Sequence, residues 1–574
     1  MKSNVLRTVA GALLALLAAC TAPPTARAPL VPTVLIPPTL AATALSASVS
    51  EATATPAPVV RGVWIDPLLP ADIYDLLRRQ LDAVAQLTAG ADALTMTTDG
   101  MSAVVRAQAV NSAEVALITR TFALAAAFPT VPDGVTFDEL SRFWAGDVTA
   151  LAALGAGVPP TMYLDADARA SLSLLLGPPA ESPNIVLLRS QDVLSATWDG
   201  RPTAFAVVPF DQLDVRYKLL QVDGINLFER EADMTRYPLS LRVGLAGDPA
   251  AVAQVRPALL TSDNRRLDKL AVVAMTGVTA LVRGTAVRME EKGVTYPGEK
   301  IRDWLAGADL AHISNEVSFW EKCRPPTRND GVVMCSNPKY MELLRYVGTD
   351  VIELTGNHTW DYGADKLNRT IDMYDAEGWK VFGGGRNLEE SRRPAIYEIN
   401  GNRIAFVGCS SFGTNWAKEE YPGATPCGTE SPQKFDWILG EIRRLRGEGY
   451  LVVATLQYTE FYEYVATRQQ DIDFRALRDA GAVVVNGSQG HHVQGFDVSE
   501  AGFCHYGTGN IFFGDQVFTE GAQQTMVDRH AFYDGRYLGV DLRTAKIEDI
   551  SQPVPMTPEA RGELLQTLFE ASGY

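Results

Sequence analysis

The stretch ELTGNHTWDYG, residues 353–363, decides how this chain is read. An apolar run ends in Gly356, and Asn357, His358 and Asp361 follow at once. The 574 residues contain only six histidines, all after residue 311: His312, His358, His491, His492, His505 and His530. Imidazole chemistry in this chain therefore belongs to its second half. A histidine directly after a strand, beside an amide and near a carboxylate, marks either a polar site or the scaffold of one.

Working outward, strand-like runs recur: LAVVAMTGV (270–278), DLAHIS (309–314), DVIELTG (350–356), RIAFVGCS (403–410), LVVATLQY (451–458), AVVVNGSQ (482–489) and HYGTGNIFF (505–513). Several are apolar and β-branched throughout, the pattern of strands buried on both faces. Helical patterns lie between them, including KLNRTIDMYDAEG, PQKFDWILGEIRRLRGEG and QQDIDFRALRDAG. This predicts an α/β domain over 269–545, followed by a C-terminal tail or helix over 546–574. Polar residues stand at several strand ends: Asn357-His358, Gln457, and Ser488-Gln489 before His491. Strand carboxyl ends share one edge of an α/β sheet, so these segments are expected to meet there.

An earlier folded region is predicted over 59–250, with a helix at DIYDLLRRQLDAVAQL and strands at VALITRTFALAA, NIVLLRS and AFAVVPF. Residues 255–268 read as a polar, basic connector. Lys2, Arg7 and the short apolar run VAGALLALLAA (9–19) read as a signal peptide over 1–20. It ends in Leu17-Ala18-Ala19-Cys20, which matches a bacterial lipoprotein cleavage site with Cys20 as the lipidated residue. Residues 21–58, rich in Ala, Pro, Thr and Ser, read as a disordered linker. These features predict a lipid-anchored, extracytoplasmic protein at the cell membrane. The net charge of −17 argues against nucleic acid as a partner. Export permits disulfides. Cys323 with Cys335, and Cys409 with Cys427, are near enough in sequence to close, leaving Cys504 free. No C-x-x-C pair points to structural zinc.

Taken together, ELTGNHTWDYG, GGGRNLEESRRPAIYEINGNRIAFVGCS, GSQGHHVQ and FCHYGTGNIFFGD resemble the CapA family of poly-γ-glutamate capsule synthesis proteins over roughly 270–540. The resemblance implies a calcineurin-like, metallophosphoesterase-type two-sheet sandwich with helices outside. It also implies an envelope polymer, polyglutamate or glycan, as partner. The departures are chemical. Where the family has Gly-Asp after the first strand, with the Asp a metal ligand in related phosphoesterases, this chain reads Thr276-Gly277-Val278-Thr279. Asn-Leu-Glu becomes Asn315-Glu316-Val317. Two histidine positions become Gln457 and Gln489. Amide oxygens are weak ligands for borderline metals, so a dinuclear centre is disfavoured. A single divalent cation on Glu316, Asn357 and His491 is the metal alternative.

The candidate catalytic residues are thus Glu316, His358 and His491, with Asn315, Asn357, Gln457 and Gln489 as candidate ligand-binding residues. Asp361 is expected to orient His358, and His312 to lie in the core. Gly383-Gly384-Gly385 is expected to form a turn. Residues 59–250 resemble, in VALITRTFALAAAFPTVPDGVTFDELSRFWAGD and GRPTAFAVVPFDQLDVRYKLLQVDGIN, the α/β lobes of periplasmic solute-binding proteins. Three readings follow: a hydrolase or transferase on an envelope polymer, a polymer-binding protein that kept the fold and lost the ligands, and an anion receptor built on 59–250.

Overall fold

The computed structural model describes residues 61–87, 94–112, 116–328, 331–413 and 415–574, with no side-chain account of 85–87. The expected signal peptide, linker and Cys20 lie outside the described residues.

The core of the molecule is set by strands that are apolar on both faces. Leu270–Thr276, Leu451–Gln457 and Ala482–Ser488 are buried along their whole length. Such strands must be covered on both sides, and two sheets packed face to face with helices outside meet that demand. In one sheet, Lys380–Phe382, Val351–Glu353, Leu310–Asn315 and Leu270–Thr276 run parallel. Gln524–Tyr533, Arg536–Glu548 and Gln552–Pro555 continue it antiparallel. In the other, Asn402–Ser410, Leu451–Gln457, Ala482–Ser488 and Gly502–His505 run parallel between antiparallel edge strands Ala395–Ile399 and Phe496–Ser499. Val273, Met275 and Phe382 meet Ile404, Phe406 and Val453 between the sheets. Helix Ala364–Glu377 packs outside the first sheet. Helices Asp436–Gly447 and Arg468–Asp479 pack outside the second. The result is the expected sandwich.

One strand reading is corrected. HYGTGNIFF is not one strand: Gly502–His505 ends at His505, and Asn510–Phe512 is a separate strand beside Val278–Thr279. Gly509, at φ +78°, turns the chain between them. Gly383, at φ +70°, turns as expected, and Gly384–Gly385 then pairs with Gly423–Ala424.

Residues 61–263 form an eleven-stranded mixed sheet. Its spine is the twelve-residue strand Ala116–Ala127, which pairs antiparallel with Ser240–Gly247, Ala204–Pro209 and Tyr217–Val222. Helix Phe137–Trp144 starts at a capping box, in which Thr136 and Glu139 satisfy each other's amides. Of NIVLLRS, only Ile185–Leu187 is strand, and helix Ser190–Asp199 begins within it.

The segment 255–268 is not a loose connector. Ser262–Asp263 adds to the spine strand, Asn264 bonds both backbone groups of Thr121, and buried Arg265 donates to the carbonyls of Leu227 and Glu229. The core of the first region also takes in Leu270, Val272, Ala531 and Tyr533, and the described residues from Arg61 to Tyr574 pack as one unit. Helix Pro558–Ala571 adds to this. Its Leu564, Leu565, Leu568 and Phe569 pack on Phe128 of the first region and on Phe496 and Phe503 of the second. Burying a Leu or Phe side chain contributes roughly 1.5–3 kcal/mol.

Candidate functional site

Both sheets of the sandwich end their parallel strands at the same edge, and polar side chains collect there. Glu316 follows Leu310–Asn315, Asn357 follows Val351–Glu353, Gln457 closes Leu451–Gln457, and Gln489 follows Ala482–Ser488. The Gln457 side-chain amide joins them. Its Nε2 donates to Glu316 Oε1 at 3.3 Å, to Asn357 Oδ1 at 3.2 Å and to Gln489 Oε1. Two N–H bonds serve three acceptors, so one is shared. Ser488 Oγ donates to Gln457 Oε1 at 2.7 Å and fixes which way that amide faces. The second oxygen of Glu316, Oε2, is buried with no hydrogen-bond partner among the described residues, as is Thr279 Oγ1. A buried acceptor left unpaired costs about 1–3 kcal/mol.

Glycines make the approach. A Cβ on Gly356 would stand 2.7 Å from Glu316 Cα and 2.8 Å from its Cγ. The Gly of the quoted stretch is therefore required by close packing.

His358 lies beside this cluster. Its Nδ1 pairs with Asp361 Oδ2 at 2.7 Å, the orienting contact expected from the sequence. Burial alone would lower its pKa. The Asp361 hydrogen bond and the charges of Glu316 and Asp361 outweigh burial and raise it above the ordinary imidazole value. His491 is buried, with Nδ1 against Asn510 Oδ1 at 2.8 Å. Asn315 turns the other way. Neighbouring residues on an extended chain face opposite sides, and its Nδ2 donates to Tyr374 OH at 2.6 Å and to Val317 O at 2.8 Å.

The other histidines are held in place internally. His312 is fully buried in its strand, with Nε2 against Glu353 at 3.1 Å. His505 is clamped between Asp528 at 2.5 Å and Gln494 O at 3.1 Å. His492 donates to Val493 O at 2.6 Å, and burial lowers its pKa. Thr279 and Asn510 belong to the site but are not singled out from the sequence, whereas Ser488 is read there as a strand-end polar residue.

The donor set does not fit a dinuclear metal centre. One carboxylate, Glu316, faces the edge, while the amide oxygens of Asn357 and Gln489 already accept from Gln457. Among the described residues, no three His, Cys, Asp or Glu side chains converge on one point. At Val278, where the family pattern has its carboxylate, the chain forms an apolar plug. Val278 packs with Ala280, Val282, Val317, Met334 and Phe513. Cys323–Cys335 and Cys409–Cys427 are both disulfide-bonded, as expected, and Cys504 is free and buried.

A sandwich of this layering, with a polar site at its shared strand edge, is of the metallophosphoesterase type. Residues 272–515 match the family described as bacterial capsule synthesis protein PGA_cap. The capsule biosynthesis protein CapA of Bacillus anthracis is 25% identical over 295 residues, spanning 50% of this chain and 70% of that protein. The PGA biosynthesis protein CapA of Bacillus subtilis (strain 168) is 23% identical over 236 residues, spanning 41% and 59%. An ABC-type phosphate transport receptor from Vibrio cholerae overlaps 34% of this chain and 93% of its own at 12% identity, with a TM-score of 0.26. That likeness is too slight to carry an argument about 61–263.

Proposed function

We propose that this chain acts in making or holding a bacterial capsule polymer, and that its strand-end cleft binds an acidic, amide-linked chain such as poly-γ-glutamate. The supporting observation is the acceptor-rich edge around Gln457, with Glu316 Oε2 left for a donor. Each unit of an amide-linked polymer offers one N–H, which Glu316 Oε2 can accept. The reading is of a polymer-binding protein rather than a two-metal hydrolase. Membrane attachment through lipidated Cys20 and an extracytoplasmic location belong to the same proposal. No helix among the described residues is long and apolar enough to cross a membrane.

The test is calorimetric titration of the full chain with poly-γ-glutamate, with polymer length followed by size-exclusion chromatography. Saturable binding without shortening, weakened in Glu316→Gln, is the expected result. The second reading is acid–base cleavage or transfer by His358 and Glu316. It is favoured by the Asp361-held imidazole and would appear as shortening that Glu316→Gln abolishes.

A further inference from the structure

Beside the strand-end cluster lies a cavity of about 550 Å³. Helix Arg283–Lys292 forms one side and the loop closed by Cys323–Cys335 the other. Arg283, Arg324 and Lys339 line it, as do Glu290 and Glu291. The two carboxylates are already engaged. Glu290 takes Lys339 Nζ at 2.5 Å and Tyr340 OH at 2.5 Å, and Glu291 takes Arg288 at 2.5 Å. Arg283 and Arg324 form no ion pair among the described residues. Arg283 spends one amino group on Gly331 O at 3.0 Å, and its Nε is buried without a partner. The helix-start amide of Gly284 is occupied, donating to Asp515 at 2.9 Å.

The cavity adjoins the cluster. Asp361, which holds His358, also accepts from the backbone N of Met334 in the cavity wall at 2.8 Å. The charge of Arg283 acts on both His358 and Asp515. A chain of net charge −17 repels an acidic ligand over most of its surface. Guanidinium groups without an ion-pair partner among the described residues reverse that locally, and guanidinium matches carboxylate in a two-bond fork.

We propose that this cavity is a carboxylate subsite anchored by Arg283, with Arg324 as its second cation. It takes pendant carboxylates of the acidic polymer whose amide chain lies on the strand-end cluster. This rests on the polymer-binding reading above. A free acidic amino acid offers the same carboxylate chemistry, so both are used as probes.

Full-length protein is titrated with γ-linked tetraglutamate, with glutamate and with poly-γ-glutamate. Arg283→Gln and Arg324→Gln are each expected to weaken tetraglutamate binding about tenfold. Arg444→Gln, a surface arginine paired with Glu441 and Glu448, leaves it unchanged. Arg324 is exposed, so its variant reports even if Arg283→Gln melts early. Equal tetraglutamate affinity in wild type and both cavity variants overturns the subsite, as does no tetraglutamate binding by wild type. Glutamate binding as tightly as tetraglutamate overturns the polymer assignment. Polymer binding that depends on Gln457 but not on Arg283 removes the subsite and leaves the reading above. Tetraglutamate binding through Arg283 without polymer binding does the reverse.

Discussion

Gly356 and Glu316 touch backbone to side chain: a methyl group on Gly356 would stand 2.8 Å from Glu316 Cγ. The contact joins the ends of two neighbouring strands and fixes where the carboxylate of the Gln457 cluster can stand. Gly356→Ala should therefore displace Glu316, destabilise the fold by about 1–3 kcal/mol and weaken polymer binding. Denaturant unfolding and titration of the same variant check both.

Val278 is 1% exposed within an apolar plug. Val278→Asp, which restores the family's carboxylate in name, places an unpaired charge there. It should destabilise by on the order of 4 kcal/mol without creating a metal site. Unfolding curves and elemental mass spectrometry after exposure to Mn²⁺ and Zn²⁺ read the two outcomes.

Two histidines give opposite pH signatures. Burial holds His530 down to about 4, against Tyr537 OH at 2.9 Å. A depressed histidine must charge on unfolding, so its contribution is present above the ordinary value of 6.5 and is lost as pH falls through about 4. His358 is raised, so its pairing with Asp361 stabilises fully below 6.5 and is lost as pH rises through its folded pKa. In Asp361→Asn, the His358 imidazole signals in an NMR pH titration should move to a lower midpoint, while those of His530 stay unchanged.

The two disulfides should separate by access. Cys409 and Cys427 are fully buried, whereas Cys323 and Cys335 are partly exposed in the cavity wall. Mild reductant followed by alkylation and mass spectrometry should label Cys323 and Cys335 first. Replacing Cys409 and Cys427 by Ala should cost about 3 kcal/mol.

The sandwich was legible because parallel strands buried on both faces read as unbroken apolar runs, as LVVATLQ does. The hairpin Gln524–Glu548 was not, because Asp528, Arg529 and His530 interrupt its first strand. Their partners, His505 for Asp528 and Glu229 for Arg529, lie 23 and 300 residues away, beyond any local pattern. At the site, Asn357, Gln457 and Gln489 were legible as strand-end polar residues, and Glu316 only through the family resemblance. Asn315 entered by the same resemblance, but strand alternation sent it to Tyr374. Arg283 carried no signal, since its role depends on a cavity wall contributed by the distant 323–335 loop.

The plug around Val278 works as a ratchet. Its Met334 adjoins Cys335, so the apolar cluster is bolted to a disulfide-closed loop, and Val317 and Phe513 draw in two further strand ends. A carboxylate at Val278 would be set among these apolar side chains, and trimming Phe513 or Val317 first leaves a void. A carboxylate-based metal site at this edge would therefore need several coordinated exchanges rather than one.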